Sequence, residues 1–140
     1  MRSWFLGSET DEQPYFAYTA TLRIRGDLDL DALSRTFGVQ PSARSRRGEI
    51  CARGGASSCD LWHYRAQVDE ALPLDAHLRS LWDVFGPHKQ LLLDLKARQS
   101  VDVFCGYRSN VDHAGFEVTP EALRIFIELE IPFGVSVIIT

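Results

Sequence analysis

The chain switches between two hydrophobic periods, and the switches divide it into elements. From Tyr15 to Arg25 apolar residues fall at every second position. Phe16, Tyr18, Ala20, Leu22 and Ile24 share one face, and Ala17, Thr19, Thr21 and Arg23 share the other. That pattern predicts a half-buried strand. Gly26 and Asp27 turn the chain. Asp29 then caps a helix from Leu30 to Phe37, with Leu30, Leu33 and Phe37 as its stripe and Gly38 at C′. Glu49–Arg53 and Cys59–Val68 read as two strands joined by Gly54-Gly55-Ala56-Ser57, which is hairpin chemistry. In the second of them Trp62, Tyr64, Ala66 and Val68 lie on one face, and Leu61, His63 and Arg65 on the other.

Helical spacing returns at Pro73, with Leu74, Leu78, Leu81, Trp82 and Phe85 facing a core. Gly86-Pro87 interrupts it, and a second piece from about His88 to Arg98 carries Leu91, Leu92 and Leu95. Ser100–Tyr107 alternates again, Val101, Val103, Cys105 and Tyr107 against Asp102, Phe104 and Gly106. Residues 108–115 are turn-rich, and Phe116–Val118 reads as a short strand. The closing stretch, 119–140, predicts one helix and one strand. Thr119 is an N-cap, Pro120 suits the first helical position, and Ala122, Leu123, Phe126, Ile127 and Leu129 form the stripe. Pro132 ends the helix. Phe133, Val135, Val137 and Ile139 then alternate as a strand with at least one buried face, expected to help seal the core.

This order predicts an α+β fold: a single, mostly antiparallel sheet of about four to six strands with helices packed on it. The alternative is an open mixed sheet with helices on both faces. LDLDALSRTFGVQP faintly echoes VTPEALRIFIELEIP. The echo fits a duplicated β-α-β, ferredoxin-like arrangement; two unrelated capped amphipathic helices would produce it too.

Composition narrows the class. The 140 residues are the length of one domain, and 45% hydrophobic with 24% charged residues is a globular balance. A formal net charge of −4 argues against general binding of nucleic acid or anionic membrane. Three cysteines without a CxxC point to a reducing compartment, so a cytoplasmic protein without a disulfide framework is expected. The apolar run near the start is too short for a signal peptide, and residues 1–13 are read as an arm in which Trp4, Phe5 and Leu6 dock. No run approaches the roughly 18 apolar residues of a membrane span.

Several of these pieces together resemble a known bacterial family. They are the strand Ala20-Thr-Leu-Arg-Ile-Arg-Gly26, the helix ending Phe37-Gly-Val-Gln-Pro41, the basic stretch ending Gly48-Glu49, Trp62 on the next strand, and the closing helix–Pro–strand unit. The family is the one catalogued as domain of unknown function four-two-seven-nine, and the likeness runs from about residue 15 to 139. It implies a small stand-alone cytosolic protein and carries no catalytic residue onto these positions.

The candidate chemistry is sparse. Arg44, Arg46, Arg47 and Arg53 crowd a loop holding one acid, Glu49. Guanidinium forks suit phosphate and carboxylate, so the loop is the first candidate for contact with an acidic protein or a small anion. The plain reading is a solvated shoulder whose arginines pair with acids elsewhere. Arg108, Asp112 and His113 form a second candidate, a polar or acid–base group, against simple turn formation. Trp62 is a candidate stacking surface, against a core position. Cys59 and His63 are four apart, which on a strand is about 13 Å, and no second ligand pair exists, so no metal is expected. Nucleotide-binding, hydrolase and zinc-protease fingerprints are missing, and no cofactor is implied. The expected function is a non-enzymatic binding module. The alternative is a small-molecule sensor or small enzyme with a polar pocket. A homodimer through an exposed sheet edge, such as the final strand, is a third expectation.

Overall fold

The computed structural model describes residues 13–50 and 54–140. The arm with Trp4, Phe5 and Leu6 lies outside them, as do Cys51, Ala52 and Arg53 of the expected hairpin. The elements are β1 (Phe16–Gly26), α1 (Leu30–Phe37), β2 (Ala43–Ser45), β3 (Asp60–Arg65), α2 (Leu74–Phe85), a short turn of 3-10 helix (Gly86–His88), α3 (Lys89–Lys96), β4 (Ser100–Ser109), α4 (Arg124–Leu129) and β5 (Val135–Ile139).

The strands form one open mixed sheet in the order β2-β3-β1-β4-β5. β1 is central and runs antiparallel to both β3 and β4; β2 is antiparallel to β3, and only β5 runs parallel to its neighbour. The α+β, mostly antiparallel expectation therefore holds. The first four strands with their helices have the order β-α-β-β-α-β, each crossover skipping one strand, which is the ferredoxin-like arrangement. Its second β-α-β spans β3, α2, α3 and β4. The echoing segment around residues 119–132 lies outside it, in the β4-α4-β5 extension. The echo therefore joins two capped helices that are not equivalent in the fold.

All the helices draw on one sheet face. Ala20, Leu22 and Ile24 of β1 and Trp62 of β3 are fully buried, together with Leu74, Leu78, Leu81 and Phe85 of α2. Leu30, Leu33 and Phe37 of α1 and Ile125, Phe126 and Leu129 of α4 join the same cluster. An open mixed sheet covered on both faces was the alternative; the sheet is open and mixed, and the described helices cover one face only. Around Trp62 the rings interlock, with Phe37 at 5.2 Å, Phe85 edge-on at 6.2 Å and Tyr64 stacked at 6.5 Å. The indole Nε1 donates to Ser34 Oγ at 3.1 Å, which satisfies the one polar atom the ring brings into the core.

Helix ends follow the residues that predict them. The Asp29 carboxylate accepts from Ala32 N at 3.0 Å, and Gly38 ends α1 at φ 73, a left-handed conformation in which a side chain is strained. Thr119 Oγ1 accepts from Ala122 N at 3.3 Å and donates to Asp75 Oδ2 at 2.7 Å, tying the start of the last helical segment to α2. Lys89 of α3 pairs with Glu128 of α4.

Three expectations need correction. The second neighbour of β3, opposite β1, is Ala43–Ser45, from the stretch read as a polar loop, whereas among the described residues Ile50 makes only an isolated bridge, to Ala56. This short edge strand needs no apolar alternation, because it buries neither face: Ala43 and Arg44 are exposed and Ser45 only partly buried. Phe116–Val118 forms no strand; Phe116 instead packs edge-on against Tyr18 at 5.8 Å. The closing strand is not buried. Val137, Ile138 and Ile139 are 55%, 54% and 46% exposed, because β5 lies at the end of the sheet, past most of the helical cover.

The Trp62–Ser34 contact gives a direct test of the core. Ser34→Ala strands the indole N–H, and urea denaturation should show a loss of about 1–3 kcal/mol. A loss under about 0.5 kcal/mol, the size of an ordinary surface change, would mean the bond is not made.

Candidate functional site

Strand parity decides where each predicted site residue goes. Trp62 shares the covered face, is 0% exposed and reaches no surface ligand; as a ligand contact it is corrected to a core residue. Arg44 lies opposite Trp62 in the β2–β3 register and so sits on the helical side, where Nη1 binds Asp31 Oδ1 of α1 at 2.9 Å. Arg46 approaches the other oxygen of Asp31 at 3.9 Å. The bond from Arg44 holds the Asp31 carboxyl below the usual carboxylate range, with the Coulombic pull of Arg44 and Arg46 adding to it. Glu49 Oε1 accepts from Arg46 N at 2.9 Å, and Asp60 Oδ1 accepts from Arg47 N at 2.8 Å. The backbone N–H groups of Leu28 and Arg47 keep Asp60 ionised below its ordinary range. The arginine loop is thus held largely by bonds from Arg44, Arg46 and its backbone to Asp31, Glu49 and Asp60.

Asp112 and His113 are exposed on the turn after β4. The structure does not join them to Arg108, whose guanidinium faces Glu70 Oε1 at 3.6 Å. Asn110 in the same turn holds the N-terminal end of β1, its Oδ1 accepting from Tyr15 N at 3.0 Å and its Nδ2 donating to Gln13 O at 2.9 Å. Of the sequence-predicted set, Arg108 alone reaches the open sheet face described next.

That face carries the residues of opposite parity to the core. Register places His63 beside Arg23 and Arg23 beside Asp102; Arg65 beside Thr21 and Thr21 beside Phe104; Thr19 beside Gly106 and Gly106 beside Ser136. Arg25 and Arg108 complete it at opposite ends. Arg23 grips Asp102 with a two-pronged contact, Nε to Oδ1 and Nη2 to Oδ2, each 2.8 Å. This bond raises the Arg23 pKa further, against the opposing effect of burial. Arg25 shares the same carboxylate at 3.7 Å. Arg65 is exposed and makes no ion pair among the described residues.

Phe104 is the aromatic residue in the middle. It is 37% exposed, and the Arg23 guanidinium sits 5.1 Å from its ring centroid, close enough for a cation–π contact. Gly106 makes room for it: a Cβ there would meet Thr19 Oγ1 at 2.7 Å and the Phe104 ring at 3.4 Å. A ridge formed by Phe104 and Arg65 separates two shallow clefts. One, of about 610 Å³, is lined by Thr21, Arg23, Ser42 and His63; the other, of about 210 Å³, by Thr19, Glu70, Arg108 and Ile138.

His63 responds to this setting. Its Nε2 is enclosed and makes no hydrogen bond among the described residues. Burial lowers its pKa, and the nearby Arg23 and Arg25 lower it further. The imidazole is neutral near pH 7 and contributes to the wall of the larger cleft. Cys105 packs beneath the sheet, its thiol pushed up to about 12 by burial, as an inert small hydrophobe. No group of three or more metal-binding side chains occurs among the described residues. No helix among them is long and apolar enough to cross a membrane.

Sequence reading missed the open face because the signal was divided among three strands. Arg23, His63, Arg65 and Phe104 each stood on the off-core parity of their own strand. Only register brings them together, and register is set by long-range pairing.

A depressed histidine pKa has a signed consequence. The unfolded chain takes up protons below about pH 6.5 while folded His63 stays neutral, so stability is full above about pH 6.5 and falls as pH drops through the folded value. His77, buried on α2, is shifted the same way by desolvation and shares this window. Thermal melts of His63→Gln should show a shallower loss of stability between about pH 6.5 and 5 than the parent. Identical slopes would show that the ring titrates as though solvated.

The comparisons with known proteins add one assignment. No curated protein and no solved structure matches the chain. The model of the family described as Domain of unknown function (DUF4279) matches residues 16–139, which takes in every strand and helix above. The chain belongs to that family.

Proposed function

We propose that this protein is a binding module that takes an acidic ligand, a small anion or a carboxylate-rich peptide, on the open face of its sheet. One observation carries the reading. Four arginines, Arg23, Arg25, Arg65 and Arg108, stand with His63 on a face that no described helix covers, against the two acids Asp102 and Glu70. The chain as a whole is at −4, so this positive face is a local segregation of charge. Arg65 offers a fork without a carboxylate of its own, next to the partly exposed Phe104 ring and the neutral His63 imidazole. Guanidinium forks bind carboxylate and phosphate oxygens in pairs. The loop of Arg44, Arg46 and Arg47 is the weaker site on the same reasoning, because Asp31 already occupies Arg44.

Nothing in the face assembles a nucleophile, a base and its orienting partner, so recognition without chemistry accounts for it. Isothermal calorimetry against inorganic pyrophosphate and against a polyglutamate peptide tests the reading. Arg65→Ala should weaken binding about tenfold or more, the loss of one charge-assisted contact, while Arg44→Ala changes affinity little. Binding that survives Arg65→Ala and fails with Arg44→Ala would move the site to the loop.

A further inference from the structure

The two edges of the sheet are finished in opposite ways. β2 is three residues long and carries Arg44, held across to Asp31. Short length and charge are how edge strands are kept from pairing with other chains. β5 has neither protection. Its outer side is paired with no strand among the described residues. From Ile131 to Thr140 there is no ionisable side chain, and no proline falls within the strand itself. Val137 and Ile139 follow the covered parity of Tyr107 and Ser109, while Ile138 follows the open parity of Arg108. Apolar side chains are therefore exposed on both sides of the same edge, and Phe133, 42% exposed, adds to them.

We infer that β5 pairs antiparallel with the β5 of a second copy of this chain, about a two-fold axis at Val137. In that register Val135 meets Ile139 of the second copy and Ser136 meets its Ile138. Like faces meet, Val137 meets itself, Val135 meets Ile139, the small uncharged Ser136 lies beside Ile138, and no like charges are opposed. The lack of charge is what selects the partner. A strand without ionisable groups has nothing with which to choose an oppositely charged protein, whereas it is complementary to itself in shape and polarity. The two five-stranded sheets become one sheet of ten, with both open faces on the same side. Two clefts then act together on a bivalent ligand. The pairing itself does not depend on what the clefts bind. A five-residue edge buries less than the roughly 1,200 Å² of ordinary stable interfaces, so the dimer is weak and depends on concentration.

Sedimentation velocity on the full chain, from micromolar to millimolar concentration, tests the pairing. The weight-average mass should climb from that of one chain toward that of two. Val137→Lys, which opposes like charges at the axis, and, separately, Ile139→Lys, which sets a charge against Val135 of the second copy and removes apolar contact, should each raise the dissociation constant more than about tenfold, with unchanged circular dichroism. Both positions are half exposed, so the fold tolerates them. Trp4→Ser, Phe5→Ser and Leu6→Ser together should leave the dimer intact. A parent protein that stays monomeric throughout overturns the inference. So does association that persists in both lysine variants, or association that appears only once Trp4, Phe5 and Leu6 are replaced, which would make the chain's own arm the occupant of the edge.

Discussion

The period-two alternation of β1 is the constraint from which the rest follows. β1 is the central strand, flanked by β3 and β4, and its parity is copied to each neighbour through the antiparallel ladders. Ala20, Leu22 and Ile24 point to the helices and are wholly buried. Thr19, Thr21 and Arg23 point the other way. A slip of one residue would bring Arg23 into the core and Leu22 into water, so burial of the helical face fixes the composition of the open face. The site is a by-product of folding in this sense: packing on one side determines which side chains stand together on the other.

Electrostatics then shapes that open face. Asp102 holds Arg23 in a fork and draws Arg25 toward it, so these two arginines are fixed in place. Fixing them costs part of their charge, and the excess that remains is carried by Arg65 and by the loosely paired Arg108. Phe104 is partly exposed at the centre, given room by the missing side chain at Gly106 and flanked by the Arg23 guanidinium. The arginine loop shows the opposite arrangement. There Asp31, Glu49 and Asp60 answer the loop's own guanidinium and backbone donors, and the result is a well-made turn at the edge of the sheet.

Much of the fold was legible in local pattern. α1 matches its predicted span to the residue, with Asp29 and Gly38 doing what cap residues do, and β1, α2 and β4 lie within a residue or two of their predicted limits. Local chemistry sets these features. Pairing was less legible. Ala43–Ser45 carries no strand pattern, so the edge neighbour of β3 was hidden, and the alternation of β5 looked the same whether the strand lay in the middle or at the edge. Of the candidate face, Arg108 had been singled out, in a polar group with Asp112 and His113 that the structure does not assemble. Arg23, His63, Arg65 and Phe104 were not, because each is ordinary on its own strand and they meet only through register. The arginine cluster of the loop was the louder signal in one dimension, and three dimensions give Arg44 and Arg46 a shared partner in Asp31.

The claim under all of this is that the sheet has one dry face and one wet face, divided by the parity of β1. Hydroxyl-radical footprinting of the native protein, read by mass spectrometry, examines both faces at once through their aromatic rings. The account predicts rapid oxidation of Phe104 and protection of Trp62, Tyr64 and Phe85. Protection of Phe104 to the same degree as Tyr64 would show that the open face is covered, and would contradict it.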